Sequence, residues 1–416
     1  MFFYIDPGTG SMLFTILIGV LSAAIYAFRN ALVKLKVVIS GGNSNHRDDE
    51  QVPFVFFTDS KRYRSIFKPL CDEMEKRGEE VLYLTAEADD PMLKEQYQNV
   101  KAEFAGAGNK AYARMNMLKA DVVLSSTPGL DVYQWKRSRD VKWYAHVLHA
   151  ANDVTLYRMF GIDYYDAMLL SGEYQIKEVR ALEALRHLPE KEVKLVGLPH
   201  MDALRERLLM ADTVPEHETT VLLAPTWGPS GILNKYGEKI IDKLQETGFR
   251  VIIRPHPQSF LSEKDMVESL MKQYPDSDRL RWDRSLDNFE VLHQSDILIS
   301  DYSGVIFDYT LVFDKPIICA DTSFDNGLYD AWWLPEQPWT FTVLDQLGPR
   351  LTEENMGDIQ ELIHQCLNDN RFQEGRARAR EETWVNIGRS VETIADYLVE
   401  KRQELLAAEK EDHQAA

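Results

Sequence analysis

Much is scarce in this 416-residue chain, and each scarcity excludes something. Its only cysteines, Cys71, Cys319 and Cys366, lie far apart in none of the paired spacings that hold zinc or build a disulfide framework, so they read as buried thiols of a reducing compartment. Positive charge is in deficit: 47 Lys and Arg against 66 Asp and Glu give a formal net charge of -19. That balance argues against nucleic acid as a partner, because a phosphate backbone needs a basic surface. Histidines and acidic residues show no repeated ligand spacing, and His200 with Asp202 is an isolated pair, so no metal and no cofactor is expected. Tandem repeats and low-complexity tracts are missing. Hydrophobic content of 44% with 27% charged residues is that of a globular protein with room for two ordinary cores.

Long apolar runs are absent with one exception. Residues 12–28, MLFTILIGVLSAAIYAF, form an uninterrupted apolar stretch just short of the roughly 20 residues of a full span. Arg29, Lys34 and Lys36 follow it, whereas only Asp6 precedes it. Charge after the stretch, with no small-residue cleavage site, favours a retained anchor over a signal peptide and puts the bulk of the chain on the cytoplasmic side of the cell membrane. DPGTG at 6–10 would break a helix before the run begins, which keeps a re-entrant insertion open beside a full span.

Behind a polar, glycine-containing linker at 41–51, apolar runs alternate with amphipathic stretches. Runs at 52–58, 80–85, 121–125, 143–149, 167–171 and 193–197 read as strands, with helical patterns such as 63–77 and 174–187 between them. A second series starts after the polar stretch 212–218, with strands at 220–224, 250–253, 296–300 and 316–320 and helices at 231–247, 262–273, 304–313 and 353–367. The alternation implies an α/β protein with parallel sheets covered by helices on both faces. The expected organisation is an anchor at 1–40, a Rossmann-like domain at 41–211 and a second Rossmann-like domain at 212–416. Ligands of such folds bind at the carboxyl ends of the strands.

Two of those strand ends carry polar motifs. SDYSGVIFDY at 300–309 closes a strand on Ser300 and Asp301, and Ser303-Gly304 then opens a helix. Ser303 is a good N-cap, Gly304 lets a phosphate approach the backbone, and free N–H groups at a helix start form an anion site. Asp308, one turn on, is placed to accept from ribose hydroxyls. Taken alone, this is also the pattern of an ordinary capped helix. RPHP at 254–257 adds weight, since two prolines stiffen a strand end and hold Arg254 and His256 in fixed directions. A histidine there can donate to a phosphate oxygen. Thr226, in APTW at 224–227, opens a loop that is either a ligand contact or a mere connection.

These motifs, with GLPHMD at 197–202, resemble those of the CDP-glycerol glycerophosphotransferase family, the teichoic-acid-type polymerases and primases. The resemblance covers most of the C-terminal half and implies a two-domain GT-B fold. It also implies transfer of glycerol phosphate from CDP-glycerol to a hydroxyl of a lipid-linked or polymeric glycan, with release of CMP. The family places a histidine of the first domain as base and the RPHP histidine, His256, at the phosphates. In WYAHVLHAAND at 143–153 the base candidates are His149, at a strand end and so facing the cleft, and His146, three residues earlier and on the opposite face by period two. His149 is preferred. The segment departs from the family's Trp-His-Gly-Thr form, which leaves the acceptor side open. Two alternatives stand beside glycerophosphate transfer: a nucleotide-sugar-dependent glycosyltransferase, and a non-catalytic nucleotide-binding assembly protein.

Overall fold

Apolar runs buried on both faces become two all-parallel sheets. The structure, a computed structural model, describes residues 51–415 apart from 286 and 323. The first sheet comprises β1 (Val52–Thr58), β2 (Val81–Thr85), β3 (Val100–Phe104), β4 (Ala120–Ser125), β5 (Val141–Val147), β6 (Ala167–Leu170) and β7 (Glu192–Leu195), in the spatial order β3-β2-β1-β4-β5-β6-β7. The second comprises β8 (Thr220–Leu223), β9 (Arg250–Ile253), β10 (Leu280–Trp282), β11 (Ile297–Ser300), β12 (Ile317–Ala320) and β13 (Arg350–Leu351), ordered β10-β9-β8-β11-β12-β13. In both sheets the strand order reverses about the first strand. Such a reversal opens a crevice at the carboxyl ends of the two central strands, β1 and β4 in one half and β8 and β11 in the other.

Alternate residues of β1 show how the layers close. Phe54 and Phe56 pack with Phe67, Leu70 and Ile394, whereas Val55 and Phe57 belong to a core that continues into the second half through Leu298, Ile306 and Phe307. The far face of the second sheet has its own core around Ile240, Ile253 and Ile299. The last helix, Ser390–Ala415, leaves the second sheet and packs on the first, against Arg64–Arg77 and β4. Arg402 reaches Asp121 at 2.9 Å, and the Trp143 indole N–H donates to the Tyr397 hydroxyl at 3.1 Å. All three cysteines are buried.

Three strands were not expected from sequence: β3, β10 and β13, each at or near a sheet edge, short and only partly apolar. An edge strand buries little and carries a weak pattern. The helix expected over 231–247 is broken in two, Ile232–Lys235 and Gly237–Glu246, because Gly237 takes φ +48. The helix after Gly304 is one α-turn, Val305–Phe307, running directly into a π-turn, Asp308–Val312. The apolar run at 12–28 lies outside the described residues. Among the described residues no helix is long and apolar enough to cross a membrane.

Candidate active site

The two crevices face each other, and the loops after β5 and β11 meet between them. A Cβ built on Gly304 would lie 3.8 Å from the Ala150 methyl and 3.8 Å from the side-chain amide of Asn152. His149, one residue before Ala150, therefore comes close to the start of the Gly304 helix. Its ring centroid is 5.0 Å from that of Tyr63, in the loop after β1.

His149 sits beyond the end of β5, not on it. Leaving the strand at Val147 turns its ring toward Tyr157, whose hydroxyl lies 3.3 Å from His149 Nδ1 and 3.0 Å from His146 Nε2. The expectation that His146 and His149 occupy opposite faces is thus corrected: period two ends where the strand ends, and one phenol touches both rings. His146 is fully buried and its Nδ1 has no partner. Burial lowers the pKa of both imidazoles, to about 3 for His146, with the His149 charge adding, and to about 4 for His149, with His200 adding. Both are neutral at pH 7.

His256 follows β9 on the other side. Its Nδ1 accepts from the Gln258 backbone N–H at 3.0 Å, so the neutral ring carries its proton on Nε2. Burial, then the positive charges of Arg62 and Arg254, depress its pKa to about 4. The Arg62 effect reaches across from the β1 loop, next to Tyr63.

The remaining sequence candidates are not all available to a ligand. Ser300 turns inward and donates to the Ala224 carbonyl at 2.6 Å. Asp301 is buried, and its carboxylate accepts from the backbone N–H groups of Thr226, Ile232, Tyr302 and Ser303 at 2.8–3.2 Å. Burial raises its pKa to about 6 in spite of those donors. It fastens the β8 loop to the β11 loop and presents no free edge. Arg254 is likewise held, by an ion pair with Asp283 and a 3.1 Å bond to Ser285. Thr226 is fixed through its backbone. Asp308, expected to take ribose hydroxyls, pairs with His200 Nε2 at 3.2 Å, while His200 Nδ1 meets the Ser65 hydroxyl at 2.9 Å. Burial opposes charge on His200, but Asp308 outweighs it and the imidazole pKa is raised.

Gly304 remains open, whereas Ser303 N–H is spent on Asp301. Ser303 is not the N-cap: Gly304 occupies that position, without a side-chain cap. The N–H groups of Ile306 and Phe307 already donate to the Ser303 and Gly304 carbonyls at 3.0 and 3.1 Å, so those of Gly304 and Val305 are left beside the His149 loop. The GLPHMD segment also acquires a role. Gly197, at φ +92, lies so close to Val385 that a Cβ would sit 2.4 Å from its carbonyl. Asp202 accepts from Trp384, Gly388 and Ser390, which pins the chain where it returns to the first sheet.

Sequence reasoning missed Arg62, Tyr63, Asn152, Tyr157 and the pairing of His200. The first two were within reach, since the carboxyl-end rule that selected His149 applies equally to the loop after β1. Tyr157 carries no such signal. Among the described residues no group of three or more His, Cys, Asp or Glu is disposed to hold a metal ion.

Two parallel-sheet halves, each with its strand order reversing about the first strand, and joined where the β5 and β11 loops meet, have the architecture of the GT-B type. A family model described as CDP-Glycerol:Poly(glycerophosphate) glycerophosphotransferase matches residues 50–400, and the chain belongs to that family. A teichoic acid ribitol-phosphate primase of Bacillus spizizenii is 24% identical over 265 residues, 57% of this chain and 62% of that protein. The match thus spans less than two thirds of that relative's length. Among solved structures, the wall teichoic acid polymerase TagF aligns with a TM-score of 0.57 at 15% identity, over 92% of this chain and 99% of its own. MnaA of S. aureus, solved with UDP, aligns at 0.54 and 12% identity, over 84% and 95%. At such identities the likeness is one of fold.

Proposed function

We propose that the protein transfers glycerol phosphate from CDP-glycerol to a hydroxyl of a membrane-linked surface polymer and releases CMP. The observation that carries this reading is the approach of the His149 loop to Gly304 from opposite halves of a glycerophosphotransferase-family chain. His149, neutral at pH 7, takes the proton of the attacking hydroxyl. The Tyr157 hydroxyl has one proton to give. Donated to His146 Nε2, it leaves His149 protonated on Nδ1, with a lone pair on Nε2 for the substrate. His256 Nε2–H donates to the transferred phosphoryl group, and the N–H groups of Gly304 and Val305 hold the diphosphate. A bound phosphate counteracts Arg62 and Arg254 and raises the His256 pKa, strengthening that bond as CMP leaves. Arg254, Asp301, Ser300 and Thr226 act through the loops they fix, and Asp308 acts through His200. The run at 12–28 tethers the catalytic halves at the cytoplasmic face of the membrane, raising the effective concentration of a lipid-linked acceptor.

A ribitol-phosphate donor is the second reading, favoured by the likeness to the Bacillus spizizenii ribitol-phosphate primase. The test is nucleotide release by purified full-length protein with membrane extract, offered CDP-glycerol, the corresponding ribitol donor and nucleotide sugars. CMP release from CDP-glycerol is expected, with sedimentation on membranes that is lost when residues 1–40 are removed. Turnover of a nucleotide sugar alone would sink the phosphotransferase reading.

A further inference from the structure

The His149 loop carries a polar group that the scheme above does not use. Asn152 Oδ1 is buried without a hydrogen-bond partner, and its amide lies 3.8 Å from where a Gly304 Cβ would stand. The backbone around it is fixed from several sides. Its carbonyl accepts from Gln175 Nε2 at 2.9 Å, the Ala151 carbonyl accepts from the Tyr174 hydroxyl at 3.0 Å, and the next residue, Asp153, accepts from Trp339 and Thr340 N–H at 2.6 and 2.7 Å. The loop backbone is therefore held in place while Oδ1 is left unsatisfied, at a cost that a substrate would relieve. It lines a cavity with His149, Leu156 and Tyr157 of about 110 Å³, below the roughly 300–1,000 Å³ of a whole-ligand pocket and suited to one arm of a larger substrate.

The chemistry of that arm follows from the amide. A primary amide offers an acceptor and a donor side by side. A phosphate at neutral pH supplies acceptors and would leave Oδ1 unsatisfied, whereas an alcohol both donates and accepts and suits the amide in either orientation. We propose that Asn152 is a substrate-binding residue that receives a polyol hydroxyl beside the reacting phosphate. This rests on the phosphotransferase reading and adds a contact for the part of the substrate that a bare nucleotide lacks. The hydroxyl belongs either to the polyol carried on the donor or to the acceptor.

Calorimetric titration of the full-length protein in detergent, with CDP-glycerol and with CMP, distinguishes the cases. For Asn152→Ala, the Kd for CDP-glycerol is expected to rise about 5- to 10-fold while that for CMP changes less than about twofold, the loss of one buried hydrogen bond. Unchanged affinity for both, with a similar rise in the acceptor KM during CMP release, would assign the same contact to the acceptor hydroxyl. Equal weakening toward both nucleotides in a normally folded variant, or no change in any of the three measures, would overturn the proposal. Asn152→Ser, smaller and polar, serves the same comparison if the alanine variant does not fold. A wild-type protein that binds CMP but not CDP-glycerol would instead overturn the donor reading itself.

Discussion

The two sides of the cleft are built on different plans. On the β11 side, polar side chains are consumed by the protein: Ser300 on a carbonyl, Asp301 on four backbone N–H groups, Arg254 on Asp283, and Asp308 on His200. What is left there is largely backbone, at Gly304 and Val305. On the β5 side the reverse holds, and His149 and Asn152 present side chains from a loop whose backbone is tied down. A diphosphate is well held by fixed dipoles, which need little reorganisation. Moving a proton requires a titratable side chain with a set environment. Polar residues of a motif can thus shape a loop through the bonds they make inside the protein.

Substitutions that act on one side at a time probe this division. His149→Ala should lower CMP release by roughly 100- to 10,000-fold, the usual contribution of a general base, with CMP affinity little changed. His256→Ala should lower it by about 100-fold, the cost of one preorganised donor, and weaken CDP-glycerol binding as well. If both variants lost binding and turnover in the same proportion, the division between the two sides would collapse.

Asp301→Ala should act mainly on stability. Several buried N–H groups lose their acceptor, so urea denaturation is expected to show a loss of about 3 kcal/mol. A fully stable but non-binding variant would place Asp301 at the ligand instead.

Acid should attack the histidine side. His146, His149 and His256 have folded pKa values of about 3, 4 and 4, below the usual imidazole value, so the unfolded chain binds more protons than the native one as pH falls. Stability should therefore be full above about pH 6.5 and decline between there and pH 4. His200, with its raised pKa, contributes in the opposite sense, and its share is lost as pH rises through its folded value. Replacing His149 by Gln should flatten the acid slope measured by denaturation at stepped pH. An unchanged slope would show that burial does not keep this ring neutral.

The smallest effect is expected at Thr226. Its backbone N–H, not its hydroxyl, is the group engaged by Asp301, so Thr226→Val should leave CMP release within about twofold. A large loss would return the hydroxyl to the list of ligand contacts.

Much of the fold was legible because a strand buried on both faces writes a continuous apolar run, as at 52–58 and 297–300, and alternation with helices then dictates parallel sheets. The edge strands β3 and β13 escaped because an edge buries too little to leave that mark. The motifs at 254–257 and 300–309 located strand ends correctly, yet the direction in which Ser300 or Asp301 points depends on partners more than 60 residues away in sequence, Ala224 and Thr226.

By itself, then, the sequence determined the class of fold, the family motifs and the two strand ends that carry His149 and His256. Which polar groups are spent and which are free emerged from contacts between distant segments. Hydrogen-bond capacity is settled by neighbours in space, and the same residue type is a staple when four N–H groups surround it and an open contact when none does. The fold likewise decided that His146 and His149 share Tyr157, that Asp308 belongs to His200, and that Asn152 Oδ1 stands unpartnered opposite Gly304.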